Sequence, residues 1–352
     1  MSNNVRAYAA TSTTSPLGPY TLARRAPRND DVVIDILYCG VCHSDLHFAR
    51  NDWGWTSYPV VPGHEIVGRV IAVGAGVSKF KVGDAVGVGC LVDSCGHCVA
   101  CEQGQEQHCK EGPTFTYGGV DRIDGTPTHG GYSEKVVVKQ DFVVRVPDNL
   151  DLKGAAPLLC AGITTWSPLK DANIGPGKKV AVVGLGGLGH MALKLANALG
   201  AEVTLFTRSP GKEADARRLG AHHVVLSTDP EQMAAVAGQF DLIVDTVPYV
   251  HDLNPYIPTL TFKGKLTLVG YLGPLEPALN TMPMVVSGQS LSGSLIGGIP
   301  ATQEMLDFCG VHNISSDIEV IKMEEINDAY ERLLKADVKY RFVIDMASLK
   351  QG

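Results

Sequence analysis

Eight consecutive residues, Gly40-Val41-Cys42-His43-Ser44-Asp45-Leu46-His47, carry a thiol, two imidazoles, a hydroxyl and a carboxylate. They follow the apolar run Val32 to Tyr38, which reads as a strand, so the polar cluster falls at a strand end. Downstream come Gly63-His64-Glu65 and a solitary cysteine, Cys160, in an apolar context where a cysteine ordinarily packs. A catalytic zinc takes three protein ligands and keeps one position open for water or a substrate oxygen. Cys42, His64 and Cys160 are the three candidate ligands, with Glu65 a ligand in reserve or a carboxylate beside the metal. Two thiolates offset the metal charge and leave a mild Lewis acid, able to polarise a carbonyl and stabilise an alkoxide. Ser44 followed by His47 makes a proton relay to solvent. Asp45 is placed to orient His64 through its second ring nitrogen. Taken one at a time, these are a loop serine, a surface histidine and a turn-capping aspartate. Their concentration in one stretch is what points to chemistry.

A second constellation has a different purpose. Cys95-x2-Cys98-x2-Cys101-x7-Cys109 places four soft ligands in one short loop, and two-residue gaps let neighbouring thiolates converge on one ion. Four thiolates close a tetrahedron and leave no open position, so this zinc is structural. It would staple a polar loop, about residues 90–110, that has little core of its own. Cys39 and Cys309 read as packing residues, and Cys90 fits either role.

The third feature is Gly184-Leu185-Gly186-Gly187-Leu188-Gly189, after the apolar strand Lys179 to Val183 and before a helical segment, Met191 to Leu199. In that context the glycines allow a tight turn and close backbone approach, and the helix N-terminus meets a pyrophosphate. The next strand, Val203 to Phe206, ends in Thr207-Arg208-Ser209-Pro210-Gly211-Lys212. An NAD site expects an acidic residue there for the ribose hydroxyls. Arg208 and Lys212 supply cations instead, and Thr207 and Ser209 supply hydroxyls, which suits a 2′-phosphate. NADP(H) is therefore expected over NAD(H).

The elements that must position these groups fall into two textures. Residues 6 to 84 carry short apolar runs broken by Gly, Pro and Asp, including Ile66 to Gly74 and Val82 to Gly89, and a further run spans Glu134 to Val138. Asp151 to Lys170 has helix-compatible spacing. From Lys179, strands at 179–183, 203–206, 221–226, 242–244 and 265–269 alternate with helix-length segments, the pattern of a doubly wound parallel sheet. The tail mixes helices at 304–308 and 324–336 with a closing strand at 340–345. The expected class is α/β: a β-rich domain at 1–153 and 294–352, with a dinucleotide-binding domain inserted at 154–293.

A chain of 352 residues favours two domains. Hydrophobic content of 45% with 19% charged residues is that of a folded globular protein. The net charge of -7 argues against a nucleic-acid partner, since no basic excess exists to neutralise phosphates. The N-terminus, Met1 to Arg6, lacks the apolar core of a signal peptide, and no run is long and apolar enough for a membrane span. Nine cysteines, four of them bunched, fit thiolates in a reducing compartment better than a disulfide framework. A soluble, cytoplasmic protein is expected.

With these residues in place the chain resembles the zinc-dependent medium-chain dehydrogenase/reductase superfamily, and within it the cinnamyl alcohol dehydrogenase-like branch with its broad-range NADPH aldehyde reductases. The resemblance rests on GVCHSDLH (40–47), YPVVPGHEIV (58–67), GCLVDSCGHCVACEQGQEQHC (89–109), CAGITTWSPLK (160–170), VGLGGLGHM (183–191) and GSLIGGIPATQEMLDFC (293–309). It implies a GroES-like catalytic domain, a Rossmann domain, a homodimer joined through the Rossmann sheets, and an active site in the interdomain cleft. It also implies Cys42, His64 and Cys160 as zinc ligands with Glu65 able to approach the metal, and Ser44 and His47 as relay. Thr164, Gly186, Gly187, Leu188, Thr207, Arg208, Ser209 and Lys212 fall where such enzymes hold the cofactor. Trp53 and Trp55 stand where plant members carry aliphatic residues, and by analogy both line the substrate cleft. Leu295 replaces a phenylalanine common in that stretch, and Phe115 covers another wall. The pocket therefore differs in shape from that of the lignin-forming enzymes, and simple aromatic and medium-chain aliphatic aldehydes are the expected substrates. The alternatives are a polyol or sugar dehydrogenase of the same superfamily and a non-enzymatic zinc- and NADPH-binding sensor. The intact four-cysteine loop and the missing acidic residue speak against the first; the full ligand set and relay speak against the second.

Overall fold

A computed structural model describes residues 4–350. Residues 1–3 and 351–352, which include the start of the stretch read for a signal peptide and the outer ends of the expected first domain, lie outside the described residues. The chain leaves one compact unit after Cys160 and returns to it at Gly297; Ala161 to Ile296 form the other.

The first unit is built on a seven-stranded sheet whose central strand is Asp31–Val41. This strand pairs antiparallel with Ile66–Val73 along one edge. Its other edge is shared: residues 31–35 pair with Lys135–Lys139, and residues 38–41 pair with the C-terminal strand Arg341–Asp345. The end of the strand, from which Cys42 emerges, is therefore held by a segment some three hundred residues away, Val41 facing Phe342. Val32, Ile34, Ile36, Cys39 and Val41 are fully buried, as the apolar pattern requires. The strand expected at 82–89 is shorter, Ala85–Val88, because Gly83 sits in the left-handed region (φ 95°) and turns the chain before it. A small separate sheet pairs Leu91–Asp93 with Thr114–Phe115 around the cysteine loop.

The helical stretch expected at 151–170 is broken into three. Leu152–Ala155 and the tight turn Ala156–Leu159 end at Cys160, whose backbone (φ −129°, ψ −67°) leaves the helical region, and Ala161–Asp171 starts afresh. Pro157 inside the turn donates no amide hydrogen bond, which favours the interruption. That break sets the position of the Cys160 thiol.

The second unit is a six-stranded parallel sheet in the order His223–Leu226, Glu202–Thr207, Lys179–Val183, Phe240–Asp245, Leu260–Leu268, Ser290–Gly293. In chain order this is 3-2-1-4-5-6, the doubly wound Rossmann arrangement, whose strand order reverses beside the first strand. Strands buried on both faces read as continuous apolar runs, which is why the first five were visible in the sequence. Ser290–Gly293 was not, since Leu291 is its single apolar residue. Phe206, Phe240 and Tyr256 form an aromatic knot in the core, with ring centroids 5.3 and 5.5 Å apart. Among the described residues no helix is long and apolar enough to cross a membrane.

Candidate functional site

Where the central strand of the first unit ends, Cys42 caps the helix His43–Ala49. Asp45, at the third helical position, reaches back to accept the Cys42 amide at 2.9 Å, the reciprocal half of a capping box. Its carboxylate is fully buried and accepts three further donors: Gly63 N at 2.9 Å, His64 Nδ1 at 3.0 Å and the Tyr132 hydroxyl at 3.3 Å. A buried carboxylate is tolerated when its charge is met in this way. With its Nδ1 proton on Asp45, His64 presents Nε2 as an acceptor or ligand. Tyr117 Oη, 3.2 Å from the same Nδ1, supports the ring.

Cys42, His64, Glu65 and Cys160 each offer a ligand atom, all within 4.8 Å of one another and all buried. The two sulfurs are 3.9 Å apart. The hydrogen bond from Cys160 holds the Cys42 thiol well below the usual cysteine range, and the same bond pushes Cys160 well above it. Without a cation, two buried thiols can share one negative charge only; a divalent ion would release both protons. The donor set therefore fits a zinc. Glu65 Oε1 accepts from Arg341 Nη2, and both side chains are buried, while Glu65 Oε2 has no partner among the described residues. Gly40 makes room for this carboxylate: a Cβ there would lie 1.8 Å from Glu65 Oε2. Cys90, open in the sequence, interacts through its thiol with Cys160, which with His64 nearby holds it below the usual range against the opposing effect of burial.

Ser44 Oγ lies 3.8 Å from Cys42 Sγ. His47, one helical turn on and partly exposed, has Nδ1 2.7 Å from Asp52 Oδ2. Trp53 and Trp55 stack at 6.1 Å and 19°, and Phe48 meets both edge-on. Phe48 also packs on Tyr117 at 5.1 Å, so one aromatic chain runs from His64 to the two exposed tryptophans. Phe115 lies half-buried in the short strand opposite Leu91, apart from that chain of contacts. Leu295 is exposed at the end of the second unit.

The loop cysteines Cys95, Cys98, Cys101 and Cys109 also converge within 4.8 Å. Backbone amides of Cys95, Cys98 and Lys110 point at the sulfurs of Cys109, Cys95 and Cys98, each at 3.4 Å. The Lys110 amide is the main cause that lowers the Cys98 thiol to about 6. Amides aimed at sulfur favour thiolate.

In the second unit, Gly184 (φ 89°) turns the chain out of its strand, and Gly189 must lack a side chain because a Cβ would lie 2.1 Å from Gly184 O. A Cβ on Gly186 would meet nothing within 4 Å, so that face of the turn is open to a ligand. Leu188 caps the helix Gly189–Ala198, and Gly187 lies in the turn before it. Thr207 ends the second strand, with Oγ1 accepting Ser209 N at 3.1 Å. Lys212 Nζ reaches from the same loop to Leu185 O at 3.0 Å, and burial lowers its pKa. Arg208 is exposed. Thr164 is buried within Ala161–Asp171. The open turn and the cations gathered beside it fit a phosphorylated dinucleotide.

Four partners escaped the sequence reading: Arg341, Tyr117, Tyr132 and Asp52. Arg341 carried a signal, a lone cation opening a strand ahead of the apolar residues Phe342, Val343 and Ile344; the tyrosines carried none. Asp45→Asn is expected to destabilise the first unit by about 2–4 kcal/mol, because an amide cannot accept four donors. Urea denaturation measures this, and an unchanged midpoint would show that the carboxylate is not the organising charge.

Two family models match the chain. Residues 28–148 match the alcohol dehydrogenase GroES-like domain and residues 187–310 match the zinc-binding dehydrogenase domain. The NADP-dependent alcohol dehydrogenase C 1 of Mycolicibacterium smegmatis is 54% identical over 99% of both chains. A probable mannitol dehydrogenase of Medicago sativa is 54% identical over 97% of this chain and 94% of its own. A cinnamyl alcohol dehydrogenase structure from Sorghum bicolor superposes with a TM-score of 0.94 at 48% identity, covering 98% of each chain. With the GroES-like and Rossmann units described above, these likenesses settle the ancestry: the chain belongs to the zinc-dependent medium-chain alcohol dehydrogenase/reductase superfamily, in its cinnamyl alcohol dehydrogenase-like branch.

Proposed function

We infer that the protein is a zinc-dependent, NADP(H)-linked alcohol dehydrogenase that interconverts aldehydes and primary alcohols. The observation that carries this is the convergence of Cys42, His64 and Cys160, with Glu65, into one buried cluster of metal-ligand type. Such a set leaves room for a fourth, exchangeable ligand. When bound, zinc supplies a Lewis acid and NADPH a hydride.

The chain's own residues do the rest. Cys42, His64 and Cys160 hold the metal, Asp45 fixes the His64 ring, and Arg341 balances the charge of Glu65. Ser44 gives a proton to the product oxygen and recovers it from His47, which Asp52 orients at the surface. Gly184, Gly186, Gly187, Leu188 and Gly189 receive the pyrophosphate, while Thr207, Arg208, Ser209 and Lys212 take the 2′-phosphate and Thr164 the nicotinamide half. Trp53, Trp55 and Phe115 shape the substrate side of the first unit. The exposed tryptophan pair favours aromatic and medium-chain aliphatic aldehydes.

A second zinc in the Cys95, Cys98, Cys101 and Cys109 site serves structure, giving two per chain. The expected domain boundaries at 153/154 and 293/294 fall seven and three residues before the breaks at 160/161 and 296/297. A homodimer forms through the Rossmann sheets: Ser290–Gly293 is an edge strand, and Met282, Val285 and Val286 beside it expose apolar side chains. None of the nine cysteines is in a disulfide, which supports a reducing, cytoplasmic setting. The name of the Medicago relative favours a second reading, oxidation of a polyol, and the same assay separates the two.

NADPH oxidation should be followed with benzaldehyde, cinnamaldehyde, butanal and fructose, and NADH run in parallel. Fast aldehyde-dependent NADPH oxidation, silent with fructose, is expected. Turnover with fructose alone would install the polyol reading. Cys42→Ala and His64→Ala should each cut turnover at least about a thousandfold with circular dichroism unchanged; normal rates would sink the catalytic role. Cys98→Ala should lower bound zinc from two to one per chain, by elemental analysis, and depress the melting temperature; two zincs retained would remove the structural site. Light scattering should give twice the chain mass, and a monomer would dispose of the dimer.

A further inference from the structure

The loop after the strand Phe240–Asp245 is tied to the residues that read the 2′-phosphate. Asp245 ends that strand, fully buried, and its Oδ1 accepts Val247 N at 3.1 Å. His251 Nε2 lies 3.0 Å from Asp245 Oδ2, and His251 Nδ1 donates to Tyr249 O at 2.9 Å. The Asp245 carboxylate raises the His251 pKa above the ordinary imidazole range, so both ring nitrogens tend to carry protons. This charge contact, which lacks hydrogen-bond alignment, and the Nδ1 bond together brace residues 245–251. Its base rests on the core, where the Tyr256 ring stands 6.2 Å from His251 and 5.5 Å from Phe206.

The outer residue of this loop is Tyr249, 53% exposed. Its ring meets the His251 ring edge-on at 6.5 Å. Its hydroxyl meets Arg208, whose Nη2 donates to Tyr249 Oη at 3.3 Å. The two cations of the neighbouring loop are thus held by different means: Lys212 by the backbone of the glycine turn, Arg208 by a side chain from a separate strand end. An exposed arginine gives up rotamer freedom when it binds a phosphate, and a hydrogen bond made beforehand reduces that loss.

We propose that Tyr249, on a loop braced by His251 and Asp245, is a positioning residue for the adenosine 2′-phosphate, holding the Arg208 guanidinium ready beside Thr207, Ser209 and Lys212. The inference rests on the NADP(H) reading above and extends the phosphate-reading set to a second loop.

The test is equilibrium binding to the full chain. NADPH and NADH are titrated by nucleotide fluorescence, and adenosine 2′,5′-bisphosphate and 5′-AMP serve as competitors. Tyr249→Phe should weaken NADPH and adenosine 2′,5′-bisphosphate about fivefold and leave NADH and 5′-AMP within about twofold. His251→Asn should shift the same pair in the same direction. Arg208→Gln should weaken them more, and adding Tyr249→Phe to it should cost nothing further, since the two act through one contact. An equal loss for NADH and 5′-AMP would reduce Tyr249 to loop integrity. Unchanged or tighter NADPH binding would mean that it is idle or competes with the phosphate; each result overturns the proposal. A wild-type protein that binds NADPH no tighter than NADH would instead overturn the cofactor reading, and that arm is read before any variant.

Discussion

The buried carboxylate of Asp45 is the constraint on which the first unit depends. Removing an ionised group from water costs several kcal/mol even after relaxation, and here four donors meet that cost. They come from three places in the chain: the Cys42 amide at the helix start, Gly63 and His64 at a turn beyond it, and Tyr132 further on. Each donor is weak alone, yet none can leave without stranding a charge. The helix that carries Ser44 and His47 and the turn that carries His64 and Glu65 are therefore locked to one another. Gly63 is part of the lock, since at φ 101° a Cβ would lie 2.7 Å from the Tyr132 ring and 2.8 Å from Cys39 Sγ.

A second buried pair, Glu65 with Arg341, ties that turn to the last strand of the chain. Its placement explains why the unit needs its C-terminal segment. Without Arg341–Asp345, the end of the central strand would lose its partner edge and Glu65 its counter-charge. The cluster of Cys42, His64, Glu65 and Cys160 is thus assembled by long-range sheet pairing, while Cys95, Cys98, Cys101 and Cys109 are gathered by local chain reversals. The two clusters differ accordingly in exposure. The first is wholly buried; three of the second four are only partly so. A buried site with an open position suits chemistry in a dry environment, and a surface site with a closed set suits a staple.

The Rossmann unit works on a simpler rule. Parallel strands aim their C-terminal ends at one edge, so Gly184, Thr207 and Asp245, at the ends of three adjacent strands, are neighbours whatever their separation in sequence. That register puts the cations after the second strand within reach of the glycine turn, and brings the loop after the fourth strand to Arg208.

Local pattern alone determined much of this protein. The strand–glycine–helix order, the cysteine spacing and the alternation of strands and helices after Lys179 are short-range properties, set by backbone sterics and side-chain period, and so legible from one chain. The residue types at Cys42, His64 and Cys160, which the structure gathers into one cluster able to hold a metal, were legible as chemistry. What only the tertiary structure decided is partnership. The sequence does not state that Arg341 meets Glu65, that Tyr117 and Tyr132 crowd around His64 and Asp45, that Cys90 interacts with Cys160, or that Tyr249 touches Arg208. Nor did it show Ser290–Gly293 as a strand, because an edge strand with one apolar residue takes its conformation from its neighbour's hydrogen bonds rather than from its own pattern. Such contacts depend on sheet register and on where charges can be buried together, and those are settled by the whole fold at once.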